Sequence, residues 1–130
     1  MICLDSDCVI DYLNGRKEAV DIVGKYKEEI VATEITVFEV FYGIHARKDF
    51  SEEEEVIAEE FFNSIYVFPF DNGCGEKSAK ILARLKKEGK LIEQNDCFIA
   101  AIVLNKGIDG IITRNKEHFS KIKGLKVIGY

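Results

Sequence analysis

The sequence predicts a single α/β domain with a central parallel sheet of about five strands and helices on both faces. Short apolar runs rich in Val and Ile alternate with longer segments of helical period. The short runs are apolar throughout, which is typical of parallel strands buried on both sides. The chain has 130 residues, enough for one hydrophobic core, so we expect one domain over 1–130.

The first half of the chain predicts two strands, each followed by two helices. Ser6 or Asp7 is a typical helix start after the first apolar run, and Gly15 is a typical stop. Ser51 and Glu54 have the spacing of a capping box at the start of a later helix. The predicted elements are a strand over 1–5, helices over 6–15 and 16–28, a strand over 29–33, and helices over 36–48 and 51–64.

The second half adds three strands and three helices. Pro69 closes the exit of the third strand, Gly89 stops the helix that follows, and Asp96 lies in the first turn of an apolar helix. The predicted elements are a strand over 65–70, helices over 72–89 and 94–106, a strand over 109–113, a short helix over 115–122 and a strand over 126–130.

The composition, 47% apolar and 32% charged residues, is that of a globular domain and excludes a disordered chain. No apolar run approaches the roughly 18 residues of a membrane span. The N-terminus has no basic residues before its apolar segment, so we expect a cytoplasmic protein without a membrane partner. The four cysteines form no CxxC pair and are expected to be buried free thiols.

The chain is acidic, with a formal net charge of -5 and a pI near 5.1. Acidic proteins bind nucleic acids poorly when no specific site is present. This argument against a nucleic-acid substrate weakens if the acids surround a bound cation, because the ion reverses the local field.

Three carboxylates fall where open parallel sheets bind ligands, beyond the carboxyl ends of the strands. Asp5 ends the first strand, Glu39 is the sole charge of an apolar helical segment, and Asp96 begins the helix before the fourth strand. Buried carboxylates are tolerated when a cation neutralises them. Oxygen ligands without organised His or Cys favour Mg²⁺, with Mn²⁺ as the alternative ion. Helix capping is the competing interpretation, especially for Asp7 and Asp96.

One known pattern that fits the segment LDSDCVID is the DxDx[TV] signature of haloacid-dehalogenase-like phosphatases. Asp5 would then be a covalent nucleophile and Asp7 a general acid, with Val9 completing the match. That family also needs an acidic pair after the fourth strand, and the segment DGIITRN offers none there. A phosphatase with Asp5 as its nucleophile is therefore an alternative with one matching motif.

The whole chain resembles the PIN domain family, and most closely the VapC-type toxins of prokaryotic toxin–antitoxin pairs. Four segments carry the resemblance in the family's order: MICLDSDCVIDYL, TEITVFEVFYGI, GKLIEQNDCFIAAIVLNKG and GIITRNKEHFSKIKGLKVI. The resemblance implies a three-layer α/β/α PIN-like fold and a Mg²⁺-dependent endoribonuclease. It also implies an RNA substrate, a cognate antitoxin and a homodimer.

Carried over to this sequence, the resemblance implies that Asp5, Glu39 and Asp96 bind the metal. Asn115 falls on the family's fourth catalytic position, which is Asp in some members, so one acid of the fullest set is missing here. Ser6 falls on the family's Thr or Ser beside the first acid and is expected to orient a ligand or a phosphate. The Asn at position 115 and the acidic pI also leave open a catalytically degenerate PIN module that binds RNA.

The remaining polar residues near these motifs receive lesser roles. Arg114, beside the fourth position, is the best-placed residue for contact with a substrate phosphate. Asp7 is expected to support its turn or a nearby water, and Asp11 is expected to lie at the surface. His45 and His118 are far from the acid motifs in sequence, so neither is assigned a role.

Overall fold

Five short strands form one sheet, and seven helices connect them. The structure is a computed structural model that describes residues 1–130. The strands are β1 (Ile2–Leu4), β2 (Ile30–Thr33), β3 (Tyr66–Phe68), β4 (Gly110–Thr113) and β5 (Val127–Gly129). The helices are α1 (Ser6–Leu13), α2 (Lys17–Lys25), α3 (Glu34–Ala46), α4 (Glu52–Asn63), α5 (Cys74–Lys87), α6 (Gln94–Asn105) and α7 (Lys116–Ser120).

The strand order is β3-β2-β1-β4-β5, and every neighbouring pair is parallel. The chain builds outward from β1 to β3 and then returns to add β4 and β5 on the other side of β1. The order therefore reverses between β1 and β4, which is the kind of switch point where open α/β sheets bind ligands. The predicted α/β class and the five parallel strands are confirmed.

Helices cover both faces of the sheet and enclose two separate apolar cores. Successive residues of β1 point to opposite faces, so Cys3 packs with α5, α6 and α7, whereas Leu4 packs with α1, α2, α3 and α4. Phe119 is fully buried in the first core and Val9 in the second. These packing partners confirm the three-layer α/β/α arrangement.

Helix starts differ slightly from the prediction where a side chain caps the first turn. α3 begins two residues earlier than expected because Thr33 is its N-cap, and Thr33 Oγ1 accepts a hydrogen bond from Thr36 N at 3.1 Å. Ser51 caps α4 as predicted, and its hydroxyl accepts from Glu54 N at 3.4 Å. The capping box is incomplete, however, because the Glu54 carboxylate pairs with Arg47.

All four cysteines are buried free thiols, as predicted. Burial raises the pKa of Cys3 far above its usual range and that of Cys8 to about 12, so both thiols stay protonated at neutral pH. None of the helices is both long enough and apolar enough to cross a membrane.

Candidate active site

Asp5 lies at the carboxyl edge of the sheet, between the ends of β1 and β4. Its backbone N–H donates to Ile112 O at 3.0 Å, and its Oδ2 accepts from Thr113 Oγ1 at 2.8 Å. Oδ1 accepts from Ser6 N at 2.7 Å, which makes Asp5 the N-cap of α1. The residue is only 3% exposed, so protein donors fix both carboxylate oxygens in a position with little water.

The surroundings of Asp5 disfavour its charged form. Burial raises the pKa of Asp5 from 3.8 to about 6. The hydrogen bonds from Thr113 and Ser6 oppose this rise, whereas the negative charges of Asp7 and Glu39 add to it. Asp5 is therefore a carboxyl group that takes up a proton just below neutral pH when no cation is nearby.

Asp96 lies in the first turn of α6, buried, and faces a histidine from α7. Burial raises the pKa of Asp96 to about 6, the charge of Asp5 adds to the rise, and His118 lowers it. His118 Nδ1 is 3.3 Å from Asp96 Oδ2. The N-cap of α6 is Glu93, not Asn95, and Asp96 is an acid in the first turn of the helix, where a carboxylate also favours the helix dipole.

Glu39 projects from the middle of α3, and one of its oxygens has no partner. Its Oε1 is buried and makes no hydrogen bond. Burial raises the pKa of Glu39, the Ser6 hydroxyl opposes the rise, the charge of Asp96 adds to it, and the Asn95 amide opposes it. Buried polar atoms in folded proteins nearly always have a partner, so the protein alone leaves this carboxylate incompletely satisfied.

The three acids form one electrostatic group. Besides burial, which is the main cause for each, the pKa of Asp96 is raised by Asp5, that of Asp5 by Glu39 and that of Glu39 by Asp96. The structure thus brings the three predicted ligands to one edge of the sheet. They do not form a closed cage, because no three His, Cys, Asp or Glu side chains stand close enough together to hold an ion alone.

Ser6 lies beside two of these acids. Its Oγ is 3.4 Å from Asp5 Oδ1, and its hydroxyl also lowers the pKa of Glu39. Ser6 is 8% exposed, so it has little contact with bulk water. Its expected role in orienting a ligand or a phosphate stays a prediction.

Asn115 and His118 form a pair at the start of α7 that the sequence analysis did not foresee. Asn115 N donates to Thr113 Oγ1 at 2.9 Å, and Asn115 Nδ2 is 2.7 Å from His118 Nδ1. The fourth predicted position therefore reaches Asp96 through His118. The i,i+3 spacing of Asn115 and His118 after a strand was the available signal, since these positions are neighbours on a helix.

Asp11 is buried, so the prediction that it lies at the surface is wrong. It is 7% exposed, and its carboxylate accepts from the Tyr130 hydroxyl at 2.7 Å. Arg114 Nη1 is 3.0 Å from both Asp11 oxygens, and Arg114 Nη2 is 3.8 Å from Asp7 Oδ1. Arg16 Nη1, 3.6 Å from Asp11 Oδ2, is a second cation at this carboxylate. These partners compensate the desolvation of Asp11, and Arg114 and Tyr130 come from distant parts of the chain. The Arg114 side chain remains 44% exposed, and its contact with phosphate stays a prediction.

The chain matches a known protein family and individual proteins of known activity. The sequence model of the PIN domain matches residues 2–125. Ribonuclease VapC1 of Methanocaldococcus jannaschii is 32% identical to this chain over 136 aligned residues, covering 97% of this chain and 85% of the relative.

Solved structures agree with the observed fold. VapBC2 from Rickettsia felis, bound to a promoter DNA fragment, superposes with a TM-score of 0.88 at 19% identity, covering 100% of this chain and 99% of that chain. A toxin–antitoxin complex from Klebsiella pneumoniae gives a TM-score of 0.79 at 21% identity, covering 98% and 96%. The fold agrees with the family match over residues 2–125, and the chain belongs to the PIN domain family.

Proposed function

We propose that this protein is a Mg²⁺-dependent endoribonuclease that hydrolyses RNA phosphodiester bonds, and that it is the toxin of a toxin–antitoxin pair in the cytoplasm. The observation that carries the proposal is the buried, unpartnered Oε1 of Glu39 within a group of three mutually repelling carboxylates. The relative from Methanocaldococcus jannaschii is named a ribonuclease, which supports the same activity.

The residues present fit a hard divalent cation. All three side chains offer carboxylate oxygens, the ligands that Mg²⁺ and Mn²⁺ prefer. Mg²⁺ usually keeps several waters and takes only one or two carboxylates, so it does not require all three acids to meet at one point. A cation would also relieve the repulsion that raises the pKa of these groups.

When bound, such an ion would lower the pKa of a water molecule that it holds and would stabilise negative charge on the phosphate. The protein's own residues hold the ligands in place: Thr113 fixes Asp5 and His118 contacts Asp96. Cys97, which follows Asp96 in the sequence, is not suited to act as a nucleophile, because it is buried and burial raises its pKa, so the thiol stays protonated.

The proposal includes an RNA substrate, a cognate antitoxin and a homodimer as partners. The neighbour from Klebsiella pneumoniae is described as a toxin–antitoxin complex, which supports an antitoxin. Phe38 and Tyr42 of α3 are 57% and 64% exposed, and their rings stack with centroids 5.9 Å apart. Aromatic residues are enriched at protein interfaces, so we assign Phe38 and Tyr42 to one of the two protein contacts.

Two alternative functions can be distinguished from the proposed one. Membership of the PIN domain family removes the support for a phosphatase with Asp5 as its nucleophile. A catalytically degenerate module that binds RNA is distinguished by experiment, because it would bind RNA and never cleave it.

The test is a cleavage assay on total cellular RNA with Mg²⁺, with Mn²⁺ and with EDTA. Discrete cuts that need the metal and are lost in Asp5→Asn and in Asp96→Asn are the expected result. Asp21→Asn, which changes an exposed carboxylate of α2, is the matched control and should cut like wild type. Cleavage that persists in EDTA, or in both site variants, would refute the proposed nuclease.

A further inference from the structure

Charge is distributed very unevenly along the chain. Residues 77–130 contain twelve of the 18 Lys and Arg but only five of the 23 Asp and Glu, so they carry a formal charge of +7. Residues 1–76 contain the remaining six basic and eighteen acidic residues and carry −12. The positive part includes nearly all of α5 and the whole of α6 and α7, which form one layer of the fold. The chain is therefore negatively charged overall, although this layer of the fold presents a basic face.

The basic face contains a cavity of about 200 Å³ between α5, α6 and the segment after α7. We call it the basic cavity. The cavity-lining residues of α5 are spaced three or four positions apart, so three cations and one apolar residue share one face of the helix. The residues that matter for its chemistry are Lys77, Lys80, Ile81, Arg84, Ile122 and Lys123.

Arg84 is held in this cavity with part of its hydrogen-bonding capacity unused. Its Nη2 donates to Lys121 O at 3.3 Å, whereas its Nε is buried and makes no hydrogen bond. The Glu88 carboxylate approaches Nε only to 3.9 Å, beyond hydrogen-bond distance. A guanidinium group has a fork of donors that matches a phosphate. The Arg84 side chain is 39% exposed, so the accessible end of the group, and not its buried Nε, is the suitable anchor for that anion.

The lysines around Arg84 are also available to bind an anion. Lys77 and Lys123 form no ion pair with a carboxylate, and Lys80 pairs only with Glu76 at 2.8 Å. Both side chains of that pair are more than 70% exposed. Exposed pairs of this kind contribute little, so a phosphate competes with Glu76 for Lys80 at small cost.

Contacts through α7 and the segment after it link the basic cavity to the acid group. Lys121, whose carbonyl receives Arg84, donates its backbone N–H to His118 O at 3.3 Å. His118 in turn contacts Asp96. His118 and Lys121 are three positions apart, which is roughly 5 Å along a helix. Leu104, which also lines the cavity, lies eight residues after Asp96 on α6, so a nucleic-acid strand at Asp96 has to extend roughly 12 Å along that helix to reach the basic cavity.

We propose that the basic cavity binds backbone phosphates of the RNA next to the segment that enters the acid group. The nature of the ligand rests on the proposed function. The acidic remainder of the surface repels RNA, so a local cluster of cations on one face determines which way the strand lies. Because the contacts are to phosphates, the cavity adds affinity without selecting a sequence.

The experiment compares two double variants that remove equal charge. Lys77→Gln with Lys123→Gln changes the basic cavity, and Lys25→Gln with Lys27→Gln changes exposed lysines in and just after α2, on the other layer. The probe is a fluorescein-labelled single-stranded RNA of twelve nucleotides, titrated by anisotropy in EDTA at several NaCl concentrations. Thermal unfolding of each variant checks that it is folded.

The cavity variant is expected to bind RNA about tenfold more weakly than wild type at 0.1 M salt. The slope of log K against log salt concentration should also fall in magnitude by about 1.4, because each of the two lost phosphate contacts to a single strand contributes about 0.7. The lysine control should bind like wild type. Equal losses in both variants, no loss in the cavity variant, or no binding by wild type would each overturn the inference. If RNA binding is weakened only in the cavity variant and the wild-type protein never cleaves RNA, the phosphate-binding role of the cavity would be supported and the proposed nuclease activity refuted.

Discussion

Arg114 Nη1 lies 3.0 Å from both carboxylate oxygens of Asp11, although the two residues are 103 positions apart in the chain. The contact follows from the sheet. β1 pairs with β4, so α1, which follows β1, lies beside the turn that follows β4. Tyr130 adds its hydroxyl to the same carboxylate. This group joins the first helix, the turn that carries Asn115, and the last residue of the chain.

The first prediction is that Asp11→Ala destabilises the protein by about 2 kcal/mol. The change leaves the Arg114 guanidinium and the Tyr130 hydroxyl without their shared acceptor, and the cost of breaking a buried pair is reduced here because Arg114 is partly exposed. Urea unfolding measures the effect. Asp21→Ala, at an exposed site, is the control and should change stability by less than about 0.5 kcal/mol. A similarly small change in Asp11→Ala would contradict the role given to this pair.

The second prediction concerns the pH dependence of stability without metal. The pKa of Asp5 is about 6 in the folded protein against 3.8 as the reference, so folding favours its protonated form. The contribution of Asp5 to stability therefore falls as pH rises from about 4 to 6 and does not recover above that range. Asp5→Asn removes this titration, and its stability relative to wild type should rise by roughly 1–3 kcal/mol between pH 4 and pH 7.

This second prediction is checked by urea unfolding in EDTA across that pH range. The difference between Asp5→Asn and wild type is the quantity to follow, because it cancels the titration of groups that do not interact with Asp5. Asp21→Asn serves as the control for loss of an exposed carboxylate. A difference that stays constant with pH would show that Asp5 does not titrate in the expected window.

The third prediction is that Mg²⁺ or Mn²⁺ stabilises the protein through Glu39. A ligand that binds only the folded state at a hundred times its Kd stabilises it by about 2.7 kcal/mol, so millimolar metal should raise the Tm of wild type. Glu39→Gln should lose most of this rise because it removes the charge next to the unpartnered oxygen. Glu34→Gln, an exposed acid in the first turn of the same helix, should keep it. Equal metal responses in the two variants would exclude Glu39 as a ligand.

Most of the fold was predictable because its signals are local. Apolar runs and helical periods depend on neighbouring residues, and they gave all twelve elements in the correct order. The positions of Asp5, Glu39 and Asp96 at one edge also followed, because parallel strands bring their carboxyl ends together. Helix α3 began two residues earlier than predicted because the Thr33 cap is a side-chain geometry rather than a periodic pattern.

The parts that sequence reasoning missed depend on contacts between distant segments. Asp11 stands between Ile10 and Tyr12, and nothing in that neighbourhood shows that Arg114 and Tyr130 will cover it. His118 lies on a helix of five residues, too short for a periodic signal, and its partner Asp96 comes from another helix. The basic cavity was hidden because net charge was considered for the whole chain and not for each layer.

The last prediction is that His118 positions Asp96 for metal binding. His118 Nδ1 is 3.3 Å from Asp96 Oδ2 and also contacts the Asn115 amide. Groups that orient a metal-binding residue typically contribute 10- to 100-fold in affinity or activity. His118→Ala should therefore reduce metal-dependent RNA cleavage by about that factor.

A second measurement separates positioning from a general structural role. His118 lowers the pKa of Asp96, so its removal should raise that pKa further. Metal binding needs the ionised carboxylate, and the midpoint of Mn²⁺ binding against pH should move upward in His118→Ala. The matched control is His45→Ala, because His45 is exposed and pairs with Glu55 away from the acid group. An unchanged midpoint together with a lowered Tm would show that His118 supports only the fold.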